Sequence, residues 1–298
     1  MLSRKITGVI AGVLTGLMAA VSVMPFMSGK VLADGNIHPY NRSEVSASCL
    51  MTVIEGSSEE NKIKYDELIG SVRGKYIYEK SEFNFSKMCN TGARAASGQY
   101  LLFLNDDIEI RDGLWLQRMV GHAELPYIGA VGAKLMYPDD DLIQHCGVIN
   151  LRKAGPAHAF IRMNDNSIPY FWRTEIEYNW LAVTAACLLV DKEKFNQVGG
   201  FNEDFAVAYN DVDLCFKLYE AGYYNVVRAD AVLIHYESVS RGYDNYDGAK
   251  MERLINEREK LYSMHPDLRG RDPFFNPNLT GRLAAFVCDN ILTEPEDD

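Results

Sequence analysis

At 298 residues with 47% apolar side chains, the chain is long enough for one large α/β domain or two small ones, and too apolar for wholesale disorder. A formal net charge of -11 and a pI near 5.1 exclude the clustered basic footprint that a phosphate backbone requires, so no nucleic acid is expected as partner. The same acidity suits an anionic small ligand bridged to carboxylates by a divalent cation.

Arg4 and Lys5 precede an uncharged apolar stretch from Ile6 to Met27, and Val31-Leu32-Ala33 follows as a small-residue exit. Residues 1–33 therefore read as a signal peptide or membrane anchor, with a buried core helix as the competing reading. Residues 34–48, broken by Pro39 and Asn41, read as a connector. A folded domain is expected over 49–285, and the acidic end of the chain, 286–298, reads as a frayed tail. Six cysteines, Cys49, Cys89, Cys146, Cys187, Cys215 and Cys288, lie far apart with no C-x-x-C pair, and are expected as reduced, mostly buried thiols.

Within the domain, Leu50–Ile54 is a short β-branched run that ends in a turn, Asn61–Ile69 has helical spacing, and Lys75–Tyr78 is strand-like. Ser86 is a candidate N-cap for a helix over 87–96 stopped by Gly98, and Tyr100–Leu104 is a compact apolar strand. Strands are further expected over Tyr127–Met136, Val183–Val190 and Val226–His235, and a helix over Val212–Ala221 after a Gly-containing turn region at 195–205. Strands alternating with helices predict a mainly parallel α/β sheet.

Three polar clusters fall at strand or helix ends. Asn105-Asp106-Asp107 directly follows the apolar run Leu101–Leu104, where open α/β sheets place their ligand crevice, and reads either as an Asx-rich turn or as a hard-cation site. Asp211 and Asp213 open a helix; they either complement its positive end or, for Asp211, supply a general base. His235 ends the strand Ala231–Ile234, as a surface residue or as part of a metal or phosphate site with Arg241 nearby.

Phe83-Asn84-Phe85-Ser86, Asn90-Thr91-Gly92-Ala93-Arg94, Leu102–Asp107, Thr184–Cys187, Gly199-Gly200-Phe201, Asn210–Cys215, His235–Ser238 and Asp272–Leu279 form an ordered series. Over residues 50 to 280 that series resembles family 2 glycosyltransferases of the rhamnosyltransferase and O-antigen polysaccharide type. The resemblance implies an α/β fold of the GT-A nucleotide-diphospho-sugar transferase kind, with a mainly parallel central sheet flanked by helices. It puts Asp107 and His235 on a Mg or Mn ion and Asp211 in the role of catalytic base. It also places Glu55, Asn90, Arg94, Asn105 and Asp106 on the donor side. The implied partners are a nucleotide-sugar donor such as a UDP- or dTDP-sugar and a glycan or polysaccharide acceptor, in an inverting transfer. That chemistry implies membrane association at the cytoplasmic face, whereas residues 6–27 suggest export. In three places the chain departs from the family: Asn105 stands in the first place of the D-x-D metal motif, Asn210 stands where an acidic residue is usual, and no opening strand and helix are found ahead of Leu50–Ile54. A truncated inactive module, or an exported carbohydrate-binding one, is the competing expectation.

Overall fold

The structure, a computed structural model, describes residues 17–26, 44–54, 75–79, 83–138, 141–236 and 248–282, together with 63, 66, 284 and 286–288. Its strands are β1 (Leu17–Phe26), β2 (Glu44–Ile54), β3 (Lys75–Glu79), β4 (Tyr100–Asn105), β5 (Ile108–Ile110), β6 (Ile128–Met136), β7 (Ile143–His145), β8 (Val148–Leu151), β9 (Gly155–His158), β10 (Tyr178–Trp180), β11 (Cys187–Asp191) and β12 (Tyr224–His235). The helices are α1 (Phe85–Ala95), α2 (Trp115–Ala123), α3 (Lys192–Gln197), α4 (Asn210–Glu220) and α5 (Gly248–Met264). One large sheet runs β10-β12-β6-β11-β4-β1-β2-β3, with β5 paired to β12 and β7 to β6; β8 and β9 form a separate hairpin.

The α/β class holds, but the sheet is mixed rather than mainly parallel. Among the described residues only β2–β3 and β6–β12 are parallel ladders; β4 lies between two antiparallel neighbours, β1 and β11. Residues 183–186, expected as part of a strand, instead form a turn ahead of β11, which runs in the same direction as β10 and antiparallel to both β6 and β4. The apolar N-terminal segment also differs from expectation. Its residues 17–26 are β1, which fills the position between β2 and β4, and the sheet takes in chain well before residue 49. Among the described residues no helix is long and apolar enough to cross a membrane.

Core burial follows the two-residue period of a strand covered on both faces. In β4, Leu101 and Phe103 enter one core with α1 and α4, while Tyr100, Leu102 and Leu104 enter the other beneath α2, where Trp115 and Met119 pack. Phe103 is fully buried and lies 4.9 Å from the Phe201 ring and 5.4 Å from that of Phe195. Trimming it to alanine costs about 3–5 kcal/mol. Helix α1 begins one residue ahead of the expected cap: the Asn84 side chain accepts from the Lys87 amide, and Ser86 instead donates to the Phe205 carbonyl at 2.6 Å. Among the described cysteines, Cys89, Cys146, Cys187 and Cys215 are free and buried and Cys288 is free and exposed.

Two buried polar clusters fasten the C-terminal third. Asp213, fully buried on α4, lies 3.1 Å from His265 Nε2, while Lys217 Nζ stands 2.9 Å from its other oxygen as an ion pair without hydrogen-bond alignment. His265 Nδ1 reaches Glu220 at 2.9 Å. Asp272, expected only as a motif residue, accepts from the Asn150 amide at 2.8 Å and the Phe274 amide at 2.8 Å, closing the segment after α5 onto β8.

Candidate active site

Strand pairing brings two of the sequence-predicted clusters together. Beyond β4 the chain turns through Asp106 and Asp107 into β5, and β5 pairs antiparallel with the end of β12, setting Ile108 opposite His235. The Tyr236 amide donates to the Asp107 carbonyl at 3.0 Å, so residues 107 and 235 are held side by side by backbone alone. His235 Nε2 then lies 3.0 Å from Asp107 Oδ1 and 3.3 Å from Asn105 Nδ2. The other ring nitrogen, Nδ1, is 2.6 Å from Gln144 Oε1.

These distances define the chemistry. An amide oxygen only accepts, so Nδ1 carries a hydrogen, and in the neutral form of the ring the lone pair is at Nε2. In that form Nε2 accepts from Asn105 and faces the Asp107 carboxylate. Asp107 Oδ1 is buried and has no aligned hydrogen bond despite its short contact with His235. Two electron-rich atoms at 3.0 Å are the arrangement that a shared cation requires, because ligands about 2.1 Å from one ion sit about 3 Å apart. The residues present therefore fit a hard divalent ion. Among the described residues no cluster of three or more His, Cys, Asp or Glu could hold a metal, so the protein offers a pair of ligands. Such a pair suits an ion whose remaining positions go to water and substrate phosphates. Burial alone would raise the Asp107 carboxyl; a hydrogen bond from His235 and its charge when the ring is protonated, together with Asp107's own backbone and Asn105, outweigh burial and hold the group below the usual carboxylate range.

Asp211 reaches the same region through the turn at 183–186. Tyr209, at φ 57°, leads the chain into α4 in the left-handed region, and Asp211 Oδ2 accepts from the Ala185 amide at 3.0 Å. One residue on, the Ala186 carbonyl accepts from the Asn105 amide at 2.9 Å. The turn thus spans from Asp211 to the end of β4. It is itself held by His145, whose Nε2 accepts from the Gly147 amide at 3.3 Å and the Thr184 amide at 3.4 Å. His145 Nδ1 lies 3.1 Å from His158 Nδ1. Burial, with the charges of His158 and His235 adding to it, pushes His145 well below the ordinary histidine range.

Not every expected donor residue joins this end. Arg94 sits in the last turn of α1 and bonds to Thr91 Oγ1 at 2.8 Å. Just beyond it, the Ala96 carbonyl accepts from Lys192, next to the Asp191 that pairs with Tyr100 at the start of β4. Arg94 is therefore at the opposite end of a strand about 17 Å long. Asn90 clasps the turn at 199–203: it donates to the Phe201 carbonyl at 2.9 Å and to Glu203 Oε1 at 3.0 Å, and accepts from the Phe201 amide at 3.0 Å. Gly200, at φ +68°, is required there, since a Cβ would stand 2.8 Å from Asn90 Oδ1. Asn90 and Arg94 line a separate groove of about 720 Å³ with Gly199, Lys217 and Met264. Asp106 is half-buried in the turn between Asn105 and Asp107. Glu55 and Arg241 lie outside the described residues.

The sequence reading missed Gln144 and His145. Their signal was present: two adjacent polar residues inside the apolar run Leu142–Ile149, both buried in the structure.

Comparison with known proteins places this geometry. Residues 56–167 match the family described as Glycosyl transferase family 2. The chain is 39% identical over 220 residues to the O-antigen biosynthesis protein RfbC of Myxococcus xanthus, covering 72% of this chain and 16% of that protein. It is 36% identical over 243 residues to the uncharacterized protein y4gI of Sinorhizobium fredii, covering 80% of this chain and 26% of the relative. To the N-acetylglucosaminyl-diphospho-decaprenol L-rhamnosyltransferase of Mycobacterium tuberculosis it is 28% identical over 153 residues, 49% of either chain. The chain thus spans only 26% and 16% of the length of the first two relatives. Among solved structures, GalNAc-T7 with UDP, GalNAc and Mn2+ superposes with a TM-score of 0.52 at 14% identity, covering 76% of this chain and 45% of that one, a likeness of fold. The chain carries a glycosyl transferase family 2 domain on a GT-A type α/β fold.

Proposed function

We propose that this domain transfers a sugar from a nucleotide-diphosphate donor, such as a UDP- or dTDP-sugar, to a growing cell-surface glycan or polysaccharide, with inversion at the anomeric carbon. The observation that supports it best is the facing pair Asp107 Oδ1 and His235 Nε2, at 3.0 Å, with the other ring nitrogen 2.6 Å from Gln144 Oε1. Asp107 and His235 would hold a Mg or Mn ion, which when bound neutralises the diphosphate leaving group. Asn105 steadies the histidine through its amide, at 3.3 Å. Asp211 lies at the helix N-terminus, tied to the Ala185 amide, and its carboxylate takes the proton of the acceptor hydroxyl as that oxygen attacks. The names of the relatives, an O-antigen biosynthesis protein and a rhamnosyltransferase, favour a deoxyhexose or O-antigen sugar as the group moved.

The test is calorimetric binding of UDP and dTDP to the full chain with and without Mn2+. The wild type should bind at least tenfold more tightly with the ion, and Asp107→Ala should lose that gain. Equal nucleotide affinity with and without Mn2+ in both proteins would remove the metal from the reading. Transfer or hydrolysis of a UDP- or dTDP-sugar then separates an enzyme from a binding module.

A further inference from the structure

We propose that Gln144 is a positioning residue for the site: it fixes the ring tautomer of His235 and so keeps the Nε2 lone pair aimed at Asp107. The inference rests on the metal-dependent transfer proposed above, and the supporting geometry is independent of it.

Gln144 lies in β7, which turns back on the end of β6 with Leu135 opposite His145 and Met136 opposite Ile143. Since β6 runs parallel to β12, with Ile234 opposite Met136, the hairpin delivers Gln144 beside His235. The side chain is 97% buried, being 3% exposed, and grips His235 twice. Its Nε2 donates to the His235 backbone carbonyl at 3.3 Å, and its Oε1 faces His235 Nδ1 at 2.6 Å. The first bond settles the orientation of the amide, because a carbonyl cannot donate and only the NH2 can face it. The oxygen then faces the ring at 2.6 Å, and a hydrogen on Nδ1 completes that contact. Without that acceptor, a neutral imidazole is free to carry its hydrogen on Nε2, pointing it at Asp107 and occupying the position a cation would need. Outer partners of metal-binding histidines act in this way, and their loss costs about 10–100-fold in metal affinity.

The Gln-His order in β7 also divides the labour. Adjacent strand residues face opposite ways, so Gln144 serves His235 while His145 holds the 183–186 turn that ties Asp211. One dipeptide thereby supports both halves of the site.

The experiment uses full-length protein labelled with 15N at histidine. Ring 15N shifts of the metal-free protein at pH 8 report the His235 tautomer, and water-proton relaxation reports Mn2+ affinity with UDP present. Wild type should show a protonated Nδ1. Gln144→Met, close in volume but without the acceptor, should show Nε2–H character and bind Mn2+ about 10–100-fold more weakly. Gln144→Glu, which restores an acceptor at the ring, should recover the Nδ1–H tautomer and most of the affinity; it also serves if the methionine variant fails to fold. A wild-type ring protonated on Nε2 overturns the proposal, as does a folded Gln144→Met with unchanged tautomer and unchanged Mn2+ affinity. A wild type that shows Nδ1–H but binds no Mn2+ overturns the metal reading of the function instead, and leaves Gln144 holding His235 for the donor alone.

Discussion

Replacing Gly147 by alanine should unfold the region behind the site more readily than any change at its rim. Gly147 sits at φ +100°, where L side chains are strained, at a cost of about 1–3 kcal/mol. An added Cβ would also stand 2.2 Å from Trp180 Cδ2 and 2.5 Å from Cε2, against an ordinary carbon contact of about 3.5–4.0 Å. Trp180 is 1% exposed and packed edge-on to Phe160 and Tyr178, with centroids at 6.2 and 5.5 Å, so the indole cannot swing away cheaply. Overpacking of this kind adds about 1–3 kcal/mol. The sum centres on about 4 kcal/mol, a large share of a typical stability of about 5–15 kcal/mol. With an unfolding entropy of about 2.1 cal/mol/K per residue over the roughly 220 described residues, that corresponds to a fall in Tm of about 9 °C. Urea denaturation followed by far-UV circular dichroism, together with a thermal melt, gives both numbers. Gly121→Ala, in α2 with nothing within 4 Å of the added methyl, is the control and should be neutral or stabilising by about 0.5–1 kcal/mol. A loss below 1 kcal/mol in Gly147→Ala would refute the steric argument.

Further outcomes are expected from single changes elsewhere. Asp211→Asn keeps an oxygen for the Ala185 amide but cannot take a proton, so donor affinity should hold while the transfer rate falls about 10²–10⁴-fold in a sugar-transfer assay; full activity would remove Asp211 from the chemistry. Asn225, fully buried, accepts from the Ala130 amide and donates to the Leu181 and Cys215 carbonyls, so Asn225→Ala should cost about 3 kcal/mol by denaturant titration, and a change under 1 kcal/mol would show that water replaces it. Burial alone would lower the His265 pKa, but its bonds to Asp213 and Glu220 win and raise it above the ordinary value. Its contribution to stability is thus complete below about pH 6.5 and is lost as pH rises through the raised folded-state value. Stability measured from pH 6 to 9 should fall over that upper window in the wild type and flatten there in His265→Gln; parallel curves would contradict the assignment.

The parts of the fold that were legible are those written locally. Leu101–Leu104 alternates between two cores and ends on a polar triplet, so its strand and the placement of Asn105–Asp107 followed from periodicity and a stop. The strand ending at His235 and the helix carrying Asp211 were readable for the same reason. Strand direction was not, because it is decided by pairing partners distant in sequence; likewise residues 183–186 look as apolar as the strand they precede, yet they form a turn that gives Asp211 and Asn105 their backbone partners. Residues 17–26 were opaque on another ground. An unbroken apolar run satisfies a strand, a helix or a membrane span equally, and only the partners β2 and β4 distinguish them. Asn90 and Arg94 share a helix with residues near the site, but a helix of this length carries its last turn to the far end of β4. Gln144 and His145 were overlooked because a short hairpin strand has too few residues to show a period, although two buried polar neighbours are themselves a sign.

The place of β1 has a consequence for the order in which the molecule can be assembled during synthesis. Residues 17–26 leave the ribosome ahead of both partner strands and can pair with β2 once residue 54 has emerged, but their other ladder requires β4, which ends only at Asn105. Through that interval, at about 5–20 residues per second, one side of a ten-residue apolar strand has no backbone partner. A nascent chain in that condition is at its most prone to pair with a neighbour or to be held by a chaperone. Synonymous changes that slow translation between residues 55 and 100 should therefore lower the soluble yield without altering the purified protein, whereas the same changes placed after residue 110 should not.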